Sequence, residues 1–116
     1  MKMLHVTIQT NRFEEELAFY QQIIGLQIIT DMRTPERKMV FLADAAGDTE
    51  IELIENPEAA DAGNAYLSIG FQTENVPAKH EALAALGLEV TPIISPNPHV
   101  CFFFVKDPAG VKVQFM

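Results

Sequence analysis

His5-Val6-Thr7-Ile8-Gln9-Thr10 and Ser68-Ile69-Gly70-Phe71-Gln72-Thr73 decide the fold of this chain, because the second stretch repeats the first at an offset of 63 residues. Gln9-Thr10 returns as Gln72-Thr73. Asp44-Ala45-Ala46-Gly47 returns as Asp107-Pro108-Ala109-Gly110 at the same offset of 63, each copy following an apolar run, and Gly25-Leu26 returns as Gly87-Leu88 at 62. The identities are few, but their order and near-constant spacing mark an ancient duplication. Every later residue is therefore read against its counterpart.

The local patterns agree between the copies. Leu4, Val6 and Ile8 alternate with His5, Thr7 and Gln9, a period of two that predicts a strand with one apolar and one polar face. Asn11 is placed to cap a helix, with Glu14 three residues on as in a capping box. Phe13, Leu17, Tyr20 and Ile24 follow at helical spacing, and Gly25 stands where a left-handed C-cap is wanted. In the second copy Leu67, Ile69 and Phe71 alternate with Ser68, Gly70 and Gln72, and Pro77 opens a helical segment that carries Leu83 and Leu86 and stops at Gly87. Three strands follow each helix: about Leu26 to Met32, Arg37 to Ala43 and Glu50 to Glu55, then Leu88 to Ile94, His99 to Lys106 and Val111 to Met116. Each copy is thus βαβββ. The expected architecture is one α+β domain over residues 1–116, built of paired βαβββ modules at about 1–55 and 65–116 with a linker at 56–64. A unit of about 55 residues has too thin a core to stand alone, so the two sheets are expected to curl into a cupped mixed β-sheet cleft or to pair with another chain.

Composition narrows the function classes. The 116 residues are 48% hydrophobic and 21% charged, which is the balance of a globular protein. Eight basic residues against sixteen acidic ones leave a formal charge of −8, with no stripe of Lys and Arg to neutralise phosphates, so no nucleic acid is expected as a partner. No apolar run reaches membrane-spanning length and no leader pattern precedes the first strand; the reading is a soluble cytoplasmic protein. The single cysteine, Cys101, excludes an intramolecular disulfide, and the neighbouring Phe102, Phe103 and Phe104 predict a buried, inert thiol. Alternation puts Phe103 on the side of Cys101, opposite Phe102 and Phe104. One side packs under helices and the other lines a ligand cleft, the role assigned here to Phe103, unless both are buried in sheet or dimer contacts. His80, among Ala and Glu in the second helix, is expected to face solvent.

The repeat singles out four residues. His5 and Ser68 hold equivalent places in the first strands and Glu52 and Gln114 in the last, each within an alternating apolar frame. Polar side chains on the wet face of an antiparallel sheet need no function at all. Here, however, L-H-V-T-I-Q-T from Leu4, the helix ending F-Y-Q-Q-I-I-G-L, E-I-E-L-I-E-N from Glu50 and the closing D-P-A-G-V-K-V-Q-F together resemble the vicinal oxygen chelate superfamily, which includes glyoxalase I, the bleomycin-resistance proteins and the extradiol dioxygenases.

That resemblance covers essentially the whole chain and implies a U-shaped cleft with a divalent metal held by the first and last strands of the modules. It assigns His5, Glu52 and Gln114 as metal ligands, for Zn, Ni, Mn or Fe, with Glu52 also the catalytic base. Ser68 stands where the glyoxalase-like pattern has His, and Gln114 where it has Glu; the first is then a substrate contact, and the second offers only a neutral amide oxygen. Gln9 replaces the arginine that grips a glutathione carboxylate, while Asn56 matches a substrate contact. Gln9, Asn56, Ser68 and Phe103 are accordingly read as substrate-binding. The resemblance implies a homodimer that binds a small molecule, as a metal-dependent lyase or isomerase other than a glutathione-dependent glyoxalase I. The alternatives are a metal-free protein that sequesters an antibiotic-like ligand, for which the acidic balance suits a cation, and a structural or regulatory module with a vestigial cleft.

Overall fold

A computed structural model of the chain describes residues 1–60 and 64–116, so the middle of the expected linker, 61–63, lies outside the described residues. The chain forms two compact units, Met1–Gly63 and Asn64–Met116. The first runs β1 (His5–Thr10), α1 (Phe13–Ala18), a π-helical segment (Phe19–Ile24), β2 (Gln27–Asp31), β3 (Met39–Ala43) and β4 (Glu50–Glu55). Its four strands are ordered β1-β4-β3-β2, with β1 parallel to β4 and the other neighbours antiparallel. The second runs β5 (Ser68–Phe71), α2 (Val76–Ala85), β6 (Ile94–Asn97), β7 (Val100–Lys106) and β8 (Lys112–Phe115), ordered β5-β8-β7-β6 with the same pattern of directions. Both units are therefore βαβββ, each with its own open mixed sheet, and the α+β class expected from the repeat is observed.

The duplication extends to the pairing register. Thr7 and Phe41 flank Glu52 on the neighbouring strands, and Gly70 and Phe104 flank Gln114 in the same way. Alternation then sorts each sheet into two faces. In the first unit Ile8, Val40, Leu42, Ile51 and Leu53 are buried, and α1 covers β4 with Phe13 and Leu17. In the second, Phe103, Val105, Val113 and Phe115 are buried and α2 packs on β7 with Val76 and Leu83. The opposite face of each sheet carries the polar residues.

The helix ends show how local chemistry differs between the copies. Asn75 caps α2 as a side chain should, its Oδ1 accepting from the Ala78 N–H at 2.9 Å. Asn11 does not cap α1. Arg12 holds the N-cap position without a side-chain cap, and the buried Thr10 hydroxyl accepts from the Arg12 N–H at 2.9 Å instead. The first helix then widens. Both Gly25 and Leu26 donate backbone N–H groups to the Tyr20 carbonyl, at 3.1 and 2.9 Å, and the π geometry brings two consecutive rings, Phe19 and Tyr20, into the core. Gly25 ends it in the left-handed region at φ 88°, as Gly87 does after α2 at φ 86°.

The largest departure is β6, which spans Ile94–Asn97 and not Leu88 to Ile94. Thr91 still lies beside β7, but it is tied there through one backbone bond to Phe104 and through its hydroxyl, which accepts from the Phe104 N–H at 2.9 Å. Pro92 has no N–H for a ladder, so regular pairing starts only at Ile94. Three side chains also sit otherwise than expected. Phe103 is fully buried, stacked on Phe115 at 5.2 Å under α2, and does not line an open face. His80 is half-buried, with its ring edge on Phe103 and Nε2 2.9 Å from the Thr91 carbonyl. Cys101 is half-buried, because it stands near the start of β7, beyond the deepest part of the core.

Candidate functional site

The polar face of the first sheet is built by strand alternation. His5, Thr7 and Gln9 project from β1 on one side, and parallel pairing with β4 sets Thr7 directly beside Glu52. The Thr7 hydroxyl donates to Glu52 Oε1 at 2.5 Å, and His5 Nε2 lies 3.7 Å from the same oxygen. The Glu52 side chain is only 13% exposed, against 41% for His5, so the carboxylate is the sheltered member of the pair. Across the strand on its other side stands Phe41, whose ring meets the His5 imidazole edge-on at 5.6 Å and leaves one flank of the histidine dry. Further along the same face Asn56 Nδ2 donates to Gln9 Oε1 at 2.7 Å, and Asn56 Oδ1 accepts from the Glu58 N–H at 3.0 Å.

The first unit thus joins His5 with Glu52 and Gln9 with Asn56. Ser68 and Gln114 occupy the equivalent face of the second sheet, where Ser68 pairs with Lys112 and Gly70 with Gln114. A side chain at Gly70 would begin 3.4 Å from Gln114 Oε1, so the missing side chain gives that amide room where Thr7 crowds and bonds Glu52. Phe103 belongs to the core; the aromatic residues on the open face of β7 are Phe102 and Phe104, 5.7 Å apart and edge to face. Thr7, Phe41 and Phe104 are site residues that reading the sequence overlooked. The signal for Phe41 and Phe104 was present, since they are counterparts at an offset of 63, and Thr7 lies in the same alternation as His5.

The chemistry available is that of one imidazole, one carboxylate and one hydroxyl. Among the described residues no group of three or more His, Cys, Asp and Glu could hold a metal. His5 and Glu52 are close enough to ligate one ion, since bonds of about 2.0–2.2 Å to nitrogen and oxygen reach across a 3.7 Å separation. Thr7 engages only Oε1, and Oε2 has no hydrogen-bond partner among the described residues. Two strong donors from this unit fit a divalent ion completed by neutral oxygens.

A family model described as the Glyoxalase/Bleomycin resistance protein/Dioxygenase superfamily matches residues 2–115. The lactoylglutathione lyase of Haemophilus influenzae is 30% identical over 124 residues, covering 100% of this chain and 92% of its own length. That of Neisseria meningitidis serogroup A is 29% identical over 124 residues, covering 100% and 90%. Among solved structures, the trypanothione-dependent glyoxalase I of Leishmania major superposes with a TM-score of 0.80 at 23% identity, over 100% of this chain and 86% of that one. TnmS3, an antibiotic-binding protein from Streptomyces sp. CB03234, gives 0.71 at 17% identity, over 99% and 93%. These two structures share the fold. No helix among the described residues is long and apolar enough to cross a membrane.

Proposed function

Because the chain belongs to the Glyoxalase/Bleomycin resistance protein/Dioxygenase superfamily, we propose that it is a metal-dependent lyase or isomerase acting on a small molecule other than a glutathione thiohemiacetal. The observation that carries this reading is the His5–Glu52 pair, 3.7 Å apart on the open face of the first sheet. His5 and Glu52 would hold the ion. A bound divalent ion supplies Lewis-acid polarisation of a substrate oxygen. The chain's own residues supply the rest. Thr7 fixes one oxygen of Glu52 by its hydroxyl, which leaves Oε2 to take a proton from substrate, and Phe41 holds the imidazole in place. The relatives named lactoylglutathione lyase support lyase chemistry. Gln9 argues against glutathione as the substrate: it is neutral and bonded to Asn56, so it offers no cation to a carboxylate.

The test is metal content, melting temperature and turnover together. Protein loaded with Mn, Ni, Zn or Fe is expected to retain near-stoichiometric metal and melt higher than metal-free protein, with both effects lost in His5→Ala and Glu52→Gln. Turnover of the glutathione–methylglyoxal adduct is expected to be negligible, and efficient turnover would overturn the substrate assignment. Protein that retains none of these ions and gains no stability from them would favour a second reading, metal-free sequestration of a ligand. The Thr7–Glu52 bond supports that reading, because it gives one oxygen of the carboxylate a partner from the protein itself. Sedimentation at twice the chain mass is the expected outcome for the homodimer the family resemblance implies.

A further inference from the structure

The open face of the second sheet carries a feature that its counterpart lacks. Lys106 and Lys112 are direct cross-strand partners in the β7–β8 ladder, and both are exposed. Like charges set opposite each other destabilise a strand pair. In a chain with sixteen acidic residues, no carboxylate among the described residues lies within ion-pair distance of either lysine. The adjacent acid is committed elsewhere: Asp107 is buried, and its Oδ1 accepts from the Ala109 and Val111 N–H groups at 2.9 Å each. The duplication shows that the pair is no property of the module, since the counterparts of Lys106 and Lys112 are Ala43 and Glu50.

Both lysines border a cleft of about 680 Å³ contained within the second unit, a volume that suits a small organic ligand. Leu88, Val90 and Phe104 give it apolar walls and Thr91 a hydroxyl. Glu89 is the one acid on the lining, outnumbered by the two lysines. We propose that this cleft binds an organic oxyanion, a carboxylate or a phosphate monoester on a small apolar body, with Lys106 and Lys112 clamping the charge and Phe104 packing on the body. The reasoning uses the second unit alone and does not depend on a metal at His5 and Glu52. It also reverses the expectation, drawn from the net charge, that the ligand is a cation: net charge describes the whole surface, and this cleft has the opposite sign.

The test is calorimetric titration of the full chain, without metal, with benzoate, phenyl phosphate and benzylamine. Benzoate or phenyl phosphate is expected to bind saturably, more weakly at higher salt, and the stronger of the two identifies which oxyanion the site takes. Lys106→Gln and Lys112→Gln should each weaken it by about tenfold or more, and the double variant should abolish it. Removing the repulsion predicts that the unliganded double variant melts no lower than the wild type, so lost binding cannot be mistaken for lost folding. Absence of saturable binding of both anions at millimolar concentration, anion binding unchanged in the double variant, or tighter binding of benzylamine would each overturn the proposal.

Discussion

Replacing Phe103 and Phe104 one at a time by alanine separates core from open face at adjacent positions. Phe103 is fully buried, stacked on Phe115 at 5.2 Å and met edge-on by His80 at 5.0 Å. Truncating such a ring loses its transfer free energy and leaves a cavity under α2, a cost of about 3–5 kcal/mol. Phe104 is half-buried and meets Phe102 edge to face, so Phe104→Ala, which loses that pair and about half of a ring's transfer free energy, should cost about 1–3 kcal/mol. With an unfolding entropy of roughly 2.1 cal/mol/K per residue over 116 residues, those losses lower Tm by roughly 12–20 °C and 4–12 °C. Urea titrations followed by circular dichroism give both free energies, and unchanged m-values would show that the same surface unfolds. Binding reverses the order: Phe104→Ala should impair benzoate binding at a temperature where Phe103→Ala is still folded and binds normally. A Phe104→Ala variant less stable than Phe103→Ala would refute the assignment of faces and, with it, the cleft.

Other perturbations probe how the two copies diverge. Asp107→Ala removes the acceptor of two N–H groups in a buried turn and should cost about 2–4 kcal/mol, whereas Asp44→Ala, at the exposed counterpart, should stay within about 0.5 kcal/mol in the same urea assay. Asn75→Ala should cost about 1 kcal/mol through its lost cap, while Asn11→Ala, with no cap to lose, should be close to neutral. Hydrogen bonds from the Arg33 guanidinium and backbone hold the Asp31 carboxyl down to about 2 from 3.8. A depressed folded-state value stabilises the fold above the ordinary value, and the contribution is lost as pH falls through about 2. Carbon-detected titration should find that low midpoint, and Arg33→Ala should return it toward 3.8.

What the sequence made legible was whatever repeats or alternates. The offset of 62 to 63 located both β-α-β-β-β units and matched His5 with Ser68 and Glu52 with Gln114; that Phe41 and Phe104 stand opposite the last pair emerged only from the strand register. The π-helical segment was not legible, because Phe13, Leu17, Tyr20 and Ile24 keep α-helical spacing; only the double acceptance at the Tyr20 carbonyl reveals the wider turn. The start of β6 was misread for a similar reason. Leu88 to Ile94 is apolar enough for a strand, but Thr91 answers Phe104 with its hydroxyl and Pro92 cannot donate. Choosing Phe103 over Phe104 for the open face was a parity error of one residue, the kind that only the position of a covering helix resolves.

The two halves share a register and differ in chemistry. On the first sheet the central column is Thr7, Glu52 and Phe41, with His5 at the carboxylate; on the second it is Gly70, Gln114 and Phe104, with Ser68 in place of His5. Each change in the second copy removes a charge or a proton-transfer group and keeps the aromatic neighbour. The pair at the foot of the column changes the other way, from Ala43 and Glu50 to Lys106 and Lys112. A duplicated unit that needed two equal metal-binding halves would have no reason to lose three titratable or hydroxyl functions from one copy while gaining two cations there. The distribution instead suits a division of labour, with proton chemistry at His5 and Glu52 and charge recognition at Lys106 and Lys112. That assignment makes a sharp demand: Gln114→Glu sets a carboxylate directly opposite Phe104 and two residues from Lys112 on the same face, and so should weaken benzoate binding severalfold at low salt. Benzoate affinity unchanged in Gln114→Glu at low salt would show that the anion does not sit beside this column.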